Sequence, residues 1–287
     1  MAVRYRLGCE LSYQVLSPTV FIFNLEVAEL TRHRDLSEKV TIEPQLKRQV
    51  YAAPHKNRYI GISAEPGSLR LAYEAQVTLD AHRADPSAIN EMQLHELPLE
   101  ILPYLLPSRF VPSDRLENFA IRQFGHLERG HHRVTSICNW IHDNLEYRRG
   151  SSNGQTTADE SLILRAGVCR DFAHLGISFC RALAIPARFV SCYAYGLQPG
   201  DFHAVFEAYL DGRWWLFDAT RQAHLDGLVR IGIGRDAAEI AFATQFGQID
   251  AGPMRVFIER ADGAPEPAIR TTEAISISEP GAQATTT

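Results

Sequence analysis

From Val3 to Val15 every odd position is apolar (Val3, Tyr5, Leu7, Cys9, Leu11, Tyr13, Val15) and most even positions are polar. Only an extended strand puts alternate side chains on one face, so the N-terminus must lie in a sheet with one side covered. The alternation returns in TVFIFNLEVA and in SLRLAYEAQVTLD. In the second, Leu69, Leu71, Tyr73, Val77 and Leu79 share a face behind the turn residues Pro66 and Gly67. Residues 1–80 are therefore expected to form an antiparallel β-sandwich domain, with Cys9 a core side chain.

The pattern then breaks. Prolines 98, 103, 107 and 112 in ELPLEILPYLLPSRFVPSD forbid a long regular element, so residues 81–112 read as a packed connector. Ser113, with Asp114 and Glu117 behind it, starts a helix, and Val134, Ile137, Cys138, Ile141 and Leu145 recur at helical spacing. Cys138 is thereby a core residue. Phe172, Leu175, Gly176, Phe179, Cys180 and Leu183 step likewise, predicting an amphipathic helix over 169–184 that Pro186 stops. Three strand-like runs follow, ARFVSCYAYG, FHAVFEAYL and RWWLFDAT, the last two joined by the hairpin turn Asp211-Gly212. Residues 113–260 thus read as one α+β domain, helices and then an antiparallel sheet, and the small, polar residues 261–287 as a flexible tail.

Several classes of function fall away. A net charge of −5 leaves no electrostatic footprint for nucleic acid. The N-terminal alternation is neither the apolar core of a signal peptide nor a membrane span, so a cytoplasmic protein is expected. Five cysteines (Cys9, Cys138, Cys169, Cys180, Cys192) include no C-x-x-C pair, which argues for free thiols over a disulfide framework or zinc ribbon. The adjacent His131 and His132 lack carboxylate company for a metal site, and no glycine-rich phosphate loop supports a nucleotide cofactor.

What remains is Cys169, at the first turn of the predicted helix, where free backbone N–H groups favour a thiolate and could hold an oxyanion. A base and an orienting acid are then required. His203 opens one strand of the predicted hairpin and Asp218 closes the other, so the turn at 211–212 would bring them to the same open end. Taken singly, each has a bland reading: a structural thiol, a core histidine, a strand-end turn.

Together these stretches resemble the transglutaminase-like cysteine-protease superfamily, in its bacterial branch with an N-terminal β domain. GVCRDF carries the helix-start cysteine, DFHAVFE the histidine strand and WWLFDAT the acid strand, in the family's order. The resemblance extends to LPYLLPSRFVPSD and TTADESL. It implies an α+β fold with a papain-like/transglutaminase-like core after the β-sandwich, Cys169 as nucleophile, His203 as general base and acid, and Asp218 as the orienting carboxylate. The lack of an Asp-rich calcium loop argues against a calcium-switched cross-linking enzyme, and neither a metal nor an organic cofactor is expected. Two positions depart from the family pattern: Val205 stands where tryptophan is frequent, and Ala219 where proline is.

Other candidates receive structural roles. Asp171 in the first helical turn suits the helix dipole, and His174 faces away from Cys169 by helical spacing. Thr156 and Thr157 precede a helix at Ala158–Leu164 and suit capping. Trp140 belongs to a core stripe, and Trp214 and Trp215 alternate across a strand, so only one could line a cleft. The expected reaction is acyl transfer from a peptide or isopeptide amide through a thioester. Water is the expected acceptor, because valine at 205 would thin the aromatic wall that an amine channel needs. A transglutaminase with an amine acceptor and a non-catalytic peptide-binding module are the alternatives.

Overall fold

A computed structural model describes residues 2–263 and 271–278. The N-terminal alternation forms one long strand, β1 (Val3–Val15), with Tyr5, Leu7, Cys9, Leu11 and Val15 buried on one face. Next come β2 (Thr19–Phe23), β3 (His33–Glu43), β4 (Arg48–Ala52), β5 (Arg58–Ala64), β6 (Gly67–Leu79) and the short β7 (His82–Ala84). Residues 86–105 follow as 3-10 turns that pack Ile89, Leu97, Ile101 and Tyr104 inward. The second half holds α1 (Glu117–Phe124), α2 (His131–Asn144), β8 (Glu146–Tyr147), α3 (Ala158–Leu164), β9 (Ala166–Gly167) and α4 (Cys169–Ala182). Four strands succeed them, β10 (Ala187–Ala194), β11 (Phe202–Leu210), β12 (Arg213–Phe217) and β13 (Leu228–Gly234). The last described strands are β14 (Ala243–Phe246), β15 (Ile249–Arg260) and β16 (Ala274–Ser276).

The fold is α+β. Two four-stranded antiparallel sheets, ordered β15-β1-β6-β3 and β14-β2-β5-β4, form the sandwich, and a third, β12-β11-β10-β13, carries the helices. Alternation along β11 assigns its faces. Ala204, Phe206 and Ala208 join a core with α1, α2 and α4, whereas Val205 joins a second core continuous with the sandwich interior. The phenol of Tyr193 crosses that junction and donates to the Leu25 carbonyl at 2.8 Å. Helix α4 buries Phe172, Leu175 and Phe179, each worth about 1.5–3 kcal/mol relative to exposure. Its close approach to β11 depends on Gly176, where a Cβ would lie 2.5 Å from the Phe206 ring.

Two of the expected boundaries are wrong. Residues 243–260 leave the helical domain and return to the sandwich, β14 pairing with β2 and β15 with β1 from Tyr5↔Arg260 to Val15↔Ile249. The return satisfies the second edge of β1, which would otherwise expose a row of backbone donors and acceptors. The supposed flexible tail is also anchored where it is described. β16 pairs with β7, and Ile275 and Ile277 are fully buried. Beyond them Ser278 reaches Glu207, Arg188 and Arg230, closing a buried charge cluster on β10, β11 and β13. The rest of that expected tail, residues 264–270 and 279–287, lies outside the described residues.

Candidate active site

Cys169 is the first residue of α4 and is partly exposed, whereas Cys9, Cys138, Cys180 and Cys192 are buried. The turn before it is fixed by Asp171, which is fully buried. Its carboxylate accepts from the Val168 N–H at 2.9 Å and from Ser152, and pairs with Arg170 at 2.8 Å. Asp171 therefore does more than complement the helix dipole, because it ties the 151–154 loop to the nucleophile's turn. Arg170 adds a second tie, donating to the Asn153 carbonyl at 2.6 Å.

The hairpin between β11 and β12 turns at Asp211 and Gly212, both with positive φ (50° and 73°), and pairs Phe206 with Phe217. That register sets His203 and Asp218 at one open end, as the spacing predicts. His203 Nε2 lies 2.9 Å from Asp218 Oδ2, and both side chains are buried. The other carboxylate oxygen accepts from the Thr220 N–H at 2.9 Å and its hydroxyl at 2.7 Å. Burial pushes the Asp218 carboxyl up, yet His203 and Thr220 hold it below the usual carboxylate range. Burial likewise pushes His203 down, but the Asp218 carboxylate and the Cys169 thiol raise it to about 10. Nδ1 of His203 is buried without a hydrogen bond, and after Asp218 the group that acts most on the ring is Cys169.

Two cavities meet at His203. One, of about 510 Å³, contains Cys169 and His203 between Phe110, Phe189, Phe202, Ile240 and Phe242. The other, of about 260 Å³, contains His203 with Tyr147, Arg149 and Gln222 but not Cys169. Asp201 and Phe202 border both. Tyr147 reaches its place because β8 pairs with β9 just ahead of the nucleophile, Tyr147 opposite Gly167. Burial pushes the pKa of its hydroxyl up, and the thiol of the neighbouring Cys169 raises it further while the Cys169 backbone amide opposes the rise.

The remaining sequence candidates lie elsewhere. His174 is buried between Phe110 and Phe189, with ring centroids at 5.3 and 5.0 Å, and its Nε2 accepts from the Ala237 N–H at 3.2 Å. His131 packs on Phe217 at 4.6 Å. Thr157 sits at the N-cap of α3, its N–H donating to Glu160, while the Thr156 hydroxyl accepts from the Asn153 N–H. Trp140 packs among Phe119, Phe124 and Phe179, and Trp214 and Trp215 are both buried, so no tryptophan borders either cavity. Val205 faces the sandwich core and has no bearing on the cleft wall. The wall is aromatic nonetheless, built from phenylalanines that no local pattern singled out, and the expectation of a thin wall fails. Among the described residues no cluster of three or more His, Cys, Asp or Glu could hold a metal ion, and no helix is long and apolar enough to cross a membrane.

Comparison with known proteins places these features. Residues 118–219 match the transglutaminase-like superfamily, and residues 3–100 match the bacterial transglutaminase N-terminal domain. A crystal structure from Cytophaga hutchinsonii, described as a "Putative Cysteine Protease", is 38% identical over 96% of this chain and 98% of its own, with a TM-score of 0.92. An uncharacterized protein of Mycobacterium leprae is 30% identical over 117 residues, 38% of this chain and 42% of that protein. One of Mycobacterium bovis is 34% identical over 122 residues, 39% of its length. The chain thus spans about two fifths of these curated relatives.

Proposed function

The chain belongs to the transglutaminase-like superfamily, and from that membership we propose that it is a cysteine-dependent hydrolase of peptide or isopeptide amide bonds. One observation carries the reading: the buried 2.9 Å contact between His203 Nε2 and Asp218, which commits one ring nitrogen and leaves the other to Cys169. In this reading Asp218 fixes the tautomer with its proton on Nε2, so Nδ1 takes the thiol proton. The thiolate then adds to the substrate carbonyl. Negative charge growing on the carbonyl oxygen is met by the Cys169 backbone N–H and the Tyr147 hydroxyl, two donors already adjacent at rest. The protonated His203 returns its proton to the departing amine, and the C–N bond breaks to leave a thioester. Water, deprotonated by the same imidazole, releases the acid and restores the thiol.

Water as acceptor is supported by the protease description of the Cytophaga hutchinsonii relative. Transfer to an amine is the second reading, favoured by the separate cavity beside His203, since an amine must be bound out of competition with water. A partition experiment decides between them. The protein is given fluorogenic peptidyl amides together with millimolar methylamine, and acid and methylamide products are quantified. Acid as the main product supports hydrolysis; a pool dominated by the methylamide at modest amine concentration overturns it in favour of transfer.

A further inference from the structure

The two cavities are chemically unequal, and their relation to the reacting groups gives each a side of the scissile bond. The acyl part of a substrate stays attached to sulfur after the first step, so it must be held by the cavity that contains Cys169. The amine leaves with a proton from His203, toward the cavity that contains His203 and not Cys169. We infer that the acyl side of the substrate carries a bulky apolar or aromatic group, seated in the phenylalanine-lined cavity beside Cys169. This inference rests on the proposed function and names the substrate class of the same site.

The lining supports it in detail. Phe202 and Phe242 stack at 4.8 Å to form one wall, and Phe110 and Phe189 form another around the buried His174 ring. Small side chains, Ala204, Ala237, Ala238, Ala241 and Ala243, leave the space between these rings open. Besides His203, which Asp218 and Cys169 hold, the charged residues on the lining are Arg170 and Asp201, and both are already engaged. The Arg170 guanidinium binds the Asn153 carbonyl and Asp171. Asp201 accepts from the Phe202 N–H at 2.8 Å and faces Arg149 at 3.5 Å, with burial pushing its carboxyl up. A glutamine, glutamate or lysine head placed there would give up water without a committed partner, whereas an aromatic ring would exchange water for ring contacts. Ile240 and Phe242 lead directly into β14, whose first residue is Ala243, so the sandwich strands that receive it also fix one wall of the cavity.

The test compares p-nitrophenyl esters that share a leaving group and differ only in the acyl part: acetate, 3-phenylpropionate and the succinate half-ester. Acylation rate constants come from the nitrophenol burst, each divided by the rate of the same ester with glutathione. The expected result is a normalised rate for 3-phenylpropionate on the order of tenfold or more above acetate, as burial of a phenyl group implies, with no gain for succinate. Ala241→Trp, at an exposed position on the rim, is expected to bring the ratio down toward one. Bursts that occur on Cys169 with equal normalised rates for all three esters, or fastest for succinate, overturn the apolar acyl site and leave the nucleophile standing. No burst from any ester, in a protein whose Cys169 also alkylates no faster than its buried thiols, overturns the proposed function and the inference with it.

Discussion

Asp218→Asn preserves the shape of a buried side chain while removing the charge that holds the His203 imidazolium. In the native protein that charge, with the Cys169 thiol, lifts His203 from 6.5 to about 10 against the opposing effect of burial. The rise corresponds to about 5 kcal/mol of preference for the protonated ring. The folded protein holds this proton more tightly than the unfolded chain does. The stabilisation is therefore complete below the unfolded value of about 6.5 and is lost as pH rises through about 10. In the variant, burial dominates, the folded value falls, and this loss disappears. Urea unfolding at about pH 6, 8 and 10 measures it. The wild type is expected to lose stability relative to Asp218→Asn across that window, by at most about 5 kcal/mol and by less in proportion as the Cys169 thiol supplies the ring's proton. Activity gives an independent reading. The asparagine amide would donate to Nε2 and force the proton onto Nδ1, lowering turnover by a factor on the order of 10³–10⁴. Parallel stability profiles for the two proteins from pH 6 to 10 would refute the reasoning.

At neutral pH iodoacetamide should modify Cys169 well before the other four cysteines, as peptide mass mapping will show: burial pushes Cys9 up to about 12 and raises Cys138, Cys180 and Cys192 as well. Tyr147→Phe keeps the ring against Phe172 but removes one proposed oxyanion donor, so kcat should fall by a factor on the order of 10² with KM little changed in steady-state assays. Ser278→Ala takes a hydroxyl from the buried Glu207, Arg188 and Arg230 cluster and should destabilise the fold by about 1–3 kcal/mol in denaturant titrations, while the alkylation rate of Cys169 stays as in the wild type.

The parts of this account legible in the sequence are those written by local periodicity or by short motifs. β1 and β6 show as alternation, α4 as a three-and-four stripe, and Cys169, His203 and Asp218 because each ends or opens such an element. β15 was not legible. Its residues are mostly exposed, so IDAGPMRVFIER carries no amphipathic signature, and what holds it is the backbone ladder to β1. The anchored stretch around Ile275 and Ile277 has no signature of its own, because a few apolar residues among polar ones read as a tail and only tertiary burial distinguishes them. Tyr147 lies in a two-residue strand, and only the pairing with Gly167 gives it a position. Val205 shows the opposite error. The family's residue at this position suggests a place on the cleft, whereas strand alternation, with Ala204 and Phe206 on the helix side, turns Val205 into the sandwich core.

The thioester itself is the most direct test of the central claim. The protein is mixed with p-nitrophenyl 3-phenylpropionate, quenched in acid during turnover, and its intact mass and peptide map are recorded. The account predicts one acyl group per chain, located on Cys169, released by hydroxylamine and absent from Cys169→Ala. An adduct on any other residue, or turnover that survives Cys169→Ala, would contradict it.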